Sequence, residues 1–133
     1  MPEAIRSCQF PNGLVLVGEQ IPALQSAAFT FMVPAGCVHD PPQRGGLAGF
    51  TCEMALRGAG PRDSRQYVLD LDNLGVERSE GVGDSHAAYG GATVSDNLFP
   101  ALEIIADLLL RPHLPEEQLE WGRQVMFQEL RSD

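Results

Sequence analysis

The sequence predicts an α+β domain in which a largely antiparallel sheet packs against helices. Strand-type segments come in neighbouring pairs joined by turn residues, helical periodicity follows each group, and the order along the chain is strands, helices, strands, helices. A chain of 133 residues with 44% hydrophobic content has enough apolar mass for a single core, so one domain or most of one is expected.

Residues 8–10 and 14–19 read as two strands of a hairpin turning at Pro11-Asn12-Gly13, where proline suits the first turn position and glycine accepts positive φ. Residues 27–33 form a third strand, with Phe29 and Phe31 on one face, before the break at Pro34-Ala35-Gly36. A loop over 40–46 leads to a helix over 47–56 whose apolar and small residues reach nearly every side of the wheel, the pattern of a helix buried within a fold. Gly58-Ala59-Gly60 ends it. A polar helix over 63–74 follows, and then two glycine-containing extended segments, 76–82 and 86–94, joined at Gly83-Asp84-Ser85.

Residues 96–110 are amphipathic. Leu98, Ala101, Leu102, Ile105, Leu108 and Leu109 face inward, Glu103 and Asp107 face outward, and Arg111-Pro112 stops the helix. The last helix starts at Pro115, with Glu116 and Glu117 set against the positive end of its dipole. On it Leu119, Gly122, Val125, Met126 and Leu130 share one broad face, and Glu129 falls inside that arc, where an acid calls for an explanation.

Composition narrows the partners. The formal charge is −9 and all nine basic residues are arginine, so no basic cluster can neutralise a run of phosphates and nucleic acid is not an expected partner. Cys8, Cys37 and Cys52 form neither a Cys-x-x-Cys pair nor an even disulfide set, which points to a reducing, cytoplasmic location. The first six residues lack the apolar stretch of a signal peptide, and no aliphatic run approaches a membrane span.

The stretch Gly46-Leu47-Ala48-Gly49-Phe50-Thr51-Cys52-Glu53-Met54 has the frame of an inverted zinc motif, His-x-x-Glu-His, with its three chemical positions replaced by Gly49, Cys52 and Glu53. In that motif the two imidazoles lie on one helix face to hold the metal, and the glutamate takes a proton from metal-bound water. Around it stand Phe10-Pro11-Asn12-Gly13-Leu14, Asp40-Pro41-Pro42, Asp96-Asn97-Leu98, Ala101-Leu102-Glu103-Ile104-Ile105-Ala106-Asp107-Leu108-Leu109, Leu114-Pro115-Glu116-Glu117-Gln118-Leu119-Glu120 and Gln128-Glu129-Leu130. In order and spacing this resembles the pitrilysin/insulinase family of zinc metallopeptidases, which includes the mitochondrial processing peptidase and the respiratory core proteins. The resemblance makes residues 1–133 the N-terminal part of one family domain, an incomplete half-domain of the pitrilysin type.

The resemblance also assigns roles. Glu129 matches the family's distal zinc ligand, and a second acidic position near the metal site is Gly122 here. Glu53 stands in place of the second histidine, but Arg57 four residues on offers it an ion pair in the favourable order. Cys52 stands where the general base belongs, and a thiol there would ligate a metal rather than activate its water; as a small buried hydrophobe it needs no other role. Gly49 offers no ligand, and glycine within a buried helix suggests close backbone packing where an imidazole would stand. His39, His86 and His113 lie in a loop, an extended segment and a turn, with no i,i+4 pairing to replace the lost ligands. Ser64 and Ser85 lack a nucleophile elbow, and the glycines at 81, 83, 90 and 91 lack phosphate-loop spacing. Ser79, Glu80, Gly81 and Val82 match the family strand whose edge pairs with substrate peptide, with Ser79 where the family usually has asparagine.

What the resemblance implies is a non-catalytic subunit or scaffold that binds a second domain of the same family and holds extended peptide. No cofactor is expected, although active members carry zinc, and the uncovered edges of a partial domain imply self-association. A zinc endopeptidase with unusual ligands, betrayed by chelator-sensitive cleavage, is the competing enzyme reading. A free-standing peptide-binding domain, active without a partner, is the third.

Overall fold

A computed structural model describes residues 5–132. Strands β1 (Ile5–Gln9) and β2 (Val15–Glu19) form an antiparallel hairpin, and β3 (Ser26–Val33) follows. Helix α1 (Leu47–Ala55) leads to the short strands β4 (Gly58–Ala59) and β5 (Arg62–Asp63) and to helix α2 (Ser64–Asn73). Strands β6 (Glu77–Val82) and β7 (Ala87–Val94) precede helices α3 (Leu98–Leu110) and α4 (Leu119–Ser132). Every described strand pair is antiparallel, so the α+β class with antiparallel sheets and four helices is what the chain forms. The β4–β5 hairpin is an element the sequence reading passed over as a glycine stop.

The main sheet has the order β3-β7-β6, with β7 in the centre. Its register pairs Phe29 with Gly91, Phe31 with Tyr89 and Val33 with Ala87 on one side of β7, and Arg78 with Gly91, Glu80 with Tyr89 and Val82 with Ala87 on the other. Directly opposed residues share a face, so these nine positions form the inner face. Over it lie Cys52 and Ala55 of α1, Tyr67 and Leu71 of α2, and Ala101, Ile104, Ile105 and Leu108 of α3, which together make the core.

Each helix is positioned by a few contacts. Asp40 accepts from the Gly46 and Ala48 amides at 3.1 and 2.8 Å, which holds the loop against the start of α1. Gly46 enters the helix at φ 93, a conformation suited to glycine. Asp63 caps α2 by accepting from the Gln66 amide at 2.8 Å, and this polar helix is pinned through Tyr67 and Leu71, one turn apart. Thr93 Oγ1 and Asn97 Nδ2 both donate to the Leu74 carbonyl, closing the end of α2.

Three details differ from the sequence reading. Helix α1 is buried in its second half, at Cys52, Met54 and Ala55, while Leu47 and Thr51, which share a face with Met54 and Ala55 but lie nearer its start, are exposed, so its cover changes along its length. Ile104 joins the core of α3, and Asp107 is drawn in by arginines: its carboxylate takes Arg62 at 3.2 Å as well as Arg111. Helix α4 is preceded by a single 3₁₀ turn, Glu116–Gln118, so its regular part begins at Leu119. No described helix is long and apolar enough to cross a membrane.

Candidate functional site

The site the motif marks lies where α1 crosses α4 above the β6 side of the sheet. The crossing is tight at Gly122, where a Cβ would come within 2.8 Å of Met54 Sδ and 3.4 Å of Phe50 Cε2. A Cβ at Gly49 would meet the Met126 methyl at 3.4 Å, so a methionine side chain, and not backbone, stands beside that position. The expected close backbone packing at Gly49 is therefore not found, since only a flexible side chain approaches it at ordinary contact distance; the tighter of the two positions is Gly122.

Glu53 is held in an ion pair. Arg57 Nη2 lies 2.9 Å from Glu53 Oε1, with the two side chains only 18% and 22% exposed. Together with Leu56, Ser64, Val68, Arg78 and Glu80 they line a cleft between α1, the start of α2 and β6. Arg78 in turn lies over the ring of buried Tyr67, 5.7 Å from its centroid, and 3.9 Å from Glu80. Burial pushes the Tyr67 hydroxyl up to about 12, with the Arg78 charge pulling the other way.

Cys52 is buried at 7% exposure. Desolvation raises its thiol above the ordinary value; the Tyr89 hydroxyl opposes that, and the negative charges of Glu80, Glu53 and Glu129 add to it. Burial likewise raises the hydroxyl of Tyr89. A thiol so placed is a poor nucleophile and a reluctant metal ligand, because both roles need the thiolate.

Glu129 is a correction. The wheel of α4 puts it on the inner arc, but Gly122 is the buried residue of this helix, and Glu129 near its end is exposed. The helix has run past the cover of α1 by that point, and Leu130 is 69% exposed for the same reason. The charge of Glu129, like that of Glu53, adds only a minor upward push to the Cys52 thiol. Among the described residues, no group of three or more His, Cys, Asp and Glu is arranged to hold a metal ion. The donors do not fit zinc: Gly49 supplies none, Cys52 is held as a thiol, and Glu53 is committed to Arg57.

The histidines have local uses. His113 Nε2 donates to the Gly60 carbonyl at 2.7 Å, and His86 Nδ1 meets Ser85 Oγ at 2.8 Å. His39 lines a separate hollow with Asp40, Thr51, Cys52 and Tyr89.

The strand of Ser79, Glu80, Gly81 and Val82 is an edge of the sheet. The Gly83 amide donates to the His86 carbonyl at 2.8 Å, and 83 and 86 continue the β6–β7 register, so Gly83, Gly81, Ser79 and Glu77 exchange bonds with β7. The free main-chain groups therefore belong to Arg78, Glu80 and Val82. Ser79 and Gly81 turn theirs toward β7. At the turn beyond Val82 the Cys37 and Val38 amides donate to the Gly83 and Asp84 carbonyls.

Sequence reasoning missed Tyr67, Arg78 and Tyr89, and read Gly36 only as a chain break. Gly36 and the two tyrosines owe their importance to contacts far along the chain; Arg78 was detectable as one of two charges alternating along a strand next to a glycine.

The chain is thus an antiparallel α+β unit in which the helix of the replaced motif, α1, packs against α4 and against an edge strand of the sheet. The profile of Insulinase (Peptidase family M16) matches residues 15–132, and the chain belongs to that family. It is 28% identical over 130 residues to an uncharacterized zinc protease of Rickettsia bellii, covering 98% of this chain and 32% of that protein. It is 26% identical to the beta subunit of the mitochondrial-processing peptidase of Saccharomyces cerevisiae, covering 93% of this chain and 27% of that one. The chain thus spans about a third of the length of these relatives. A solved peptidase M16 inactive domain from Pseudomonas fluorescens superposes with a TM-score of 0.85 at 19% identity, over 96% of this chain and 31% of that one.

Proposed function

We propose that this chain is a non-catalytic member of the insulinase family that works as a subunit or scaffold beside a second domain of the family, and that it holds extended peptide along β6. The observation that carries the reading is the Glu53–Arg57 ion pair at 2.9 Å, next to Gly49 and a buried thiol, where the family's metal chemistry requires two imidazoles and a free carboxylate. The similarity to a solved domain described as inactive supports it, as does the open main chain of β6. Exposed apolar residues on β1, β2 and α4 support a partner that covers them. The free cysteines fit a reducing, cytoplasmic location.

The test is a fluorogenic peptide-cleavage assay combined with metal analysis of the purified chain. The expected result is no cleavage that responds to chelator or to added zinc, and no stoichiometric metal. Chelator-sensitive cleavage by the unaltered chain would overturn the proposal in favour of an endopeptidase with unusual ligands. The triple substitution Gly49→His, Cys52→Glu, Glu53→His gives the comparison: it should take up zinc, with Glu129 free to rotate inward.

A further inference from the structure

Arg78 and Glu80 sit on the inner face of an edge strand, an unusual place for charge. Opposed to Gly91 and Tyr89, they point to the side of the sheet that elsewhere carries Phe29, Phe31 and Val33. Their side chains are 33% and 27% exposed, and their mutual contact of 3.9 Å is loose beside the 2.9 Å pair of Glu53 and Arg57 just below. Inward-pointing charge on an edge is a known way to repel an added strand, because the newcomer buries the charges and gives nothing in return. An apolar strand laid on β6 pays that desolvation in full.

The same two residues carry the main-chain groups left free by β7, so the hydrogen bonds and the side-chain pairs of an added strand would form at the same positions. We infer that β6 is a charge-reading edge: it accepts an extended peptide in antiparallel register that places a basic residue opposite Glu80 and, two positions nearer the peptide's C-terminus, an acidic residue opposite Arg78. Every described strand pair of this fold is antiparallel, and that pairing is the more stable per residue. A peptide with that spacing meets both charges and offsets their burial; one with the order reversed sets like against like at both places. Glu53 and Arg57, already paired, form the floor of the cleft and leave the reading to Arg78 and Glu80. This inference rests on the peptide reading of β6 above and adds the class of peptide.

The experiment is fluorescence anisotropy on the whole chain with three labelled seven-residue peptides of β-branched residues. One carries lysine and then glutamate two positions on, one has the two exchanged, and one has serine at both. The first should bind roughly fivefold tighter than the serine peptide and tighter still than the reversed one, with the difference shrinking at high salt. The double variant Arg78→Glu, Glu80→Arg should reverse the order of preference. Because losing the Arg78 guanidinium from Tyr67 can disturb the fold, Glu80→Gln serves as the milder variant and should erase the lysine preference alone. Equal binding of all three peptides would overturn charge reading while leaving peptide binding intact, and preference for the reversed peptide would overturn the antiparallel register. Binding of none would remove both this inference and the peptide reading.

Discussion

A methyl group added at Gly36 would sit 2.4 Å from the Asp84 carbonyl oxygen and the Ser85 carbonyl carbon, and 2.5 Å from the His86 nitrogen. All three are backbone atoms of the β6–β7 turn and cannot rotate away, so Gly36→Ala is expected to cost about 3 kcal/mol, the upper end of ordinary overpacking, read as a shift in urea midpoint. Gly49→Ala is the contrast. Its Cβ meets only the Met126 methyl at 3.4 Å, and replacing a helical glycine recovers backbone entropy, so the variant should be neutral or more stable by about 0.5 kcal/mol. Both are glycines in a sequence rich in them; what separates them is a contact across some fifty residues, which no local pattern encodes. The thiols divide in a similar way. Cys8 and Cys37 are exposed and Cys52 is buried with its pKa raised by desolvation, so a thiol reagent at neutral pH should label two cysteines quickly and the third only after unfolding. Fast labelling of all three would show that the α1 core opens readily.

At the scale of elements, arginine bridges tie the β4–β5 hairpin to α2 and α3. Arg62 takes Asp70 at 2.7 Å and Asp107 at 3.2 Å. Arg62, with help from Gln66, holds the Asp70 carboxyl below its usual range, and Arg111 with Arg62 does the same for Asp107. A depressed folded-state pKa means the folded chain releases these protons more readily than the unfolded one. The stabilisation is therefore complete above the ordinary aspartate value near pH 4 and is lost as pH falls through the depressed values. The melting temperature should drop across that acid window in the unaltered chain and less steeply in Arg62→Gln, which removes the shared partner. The helices were legible because their apolar positions repeat every three to four residues: α3 came within a residue or two of its bounds, and its core position Ile105 was evident. Burial along α4 was not legible, since a wheel gives direction and not how far a neighbour extends. Accordingly Ile105→Ala should cost about 2–5 kcal/mol, whereas Leu130→Ala, at a position 69% exposed, should cost under about 0.5 kcal/mol.

For the whole molecule, what the sequence disclosed was family and frame; what it withheld was which surfaces the fold leaves uncovered. Among the described residues the β1–β2 hairpin pairs only with itself, and all ten of its strand residues are exposed, with Ile5, Val15, Leu16 and Val17 each more than half so. An isolated two-stranded hairpin is marginal in water. Its apolar side chains on both faces and its unpaired outer edges favour a covering chain. On α4, Trp121 and Phe127 add exposed aromatic surface at 66% and 53%. A net charge of −9 with both signs present opposes aggregation at low salt but is screened over about 8 Å at physiological ionic strength. The chain by itself is therefore expected to self-associate reversibly, with a weight-average sedimentation coefficient that rises over the micromolar range and rises further with added salt. Val15→Lys with Val17→Lys places charge on the hairpin without touching the core, and should lower association several-fold while leaving the thermal transition of the main sheet in place. A monomer at every concentration, unchanged by these two lysines, would mean that the hairpin recruits no second copy, and would leave the free-standing peptide binder as the better description of how this chain works.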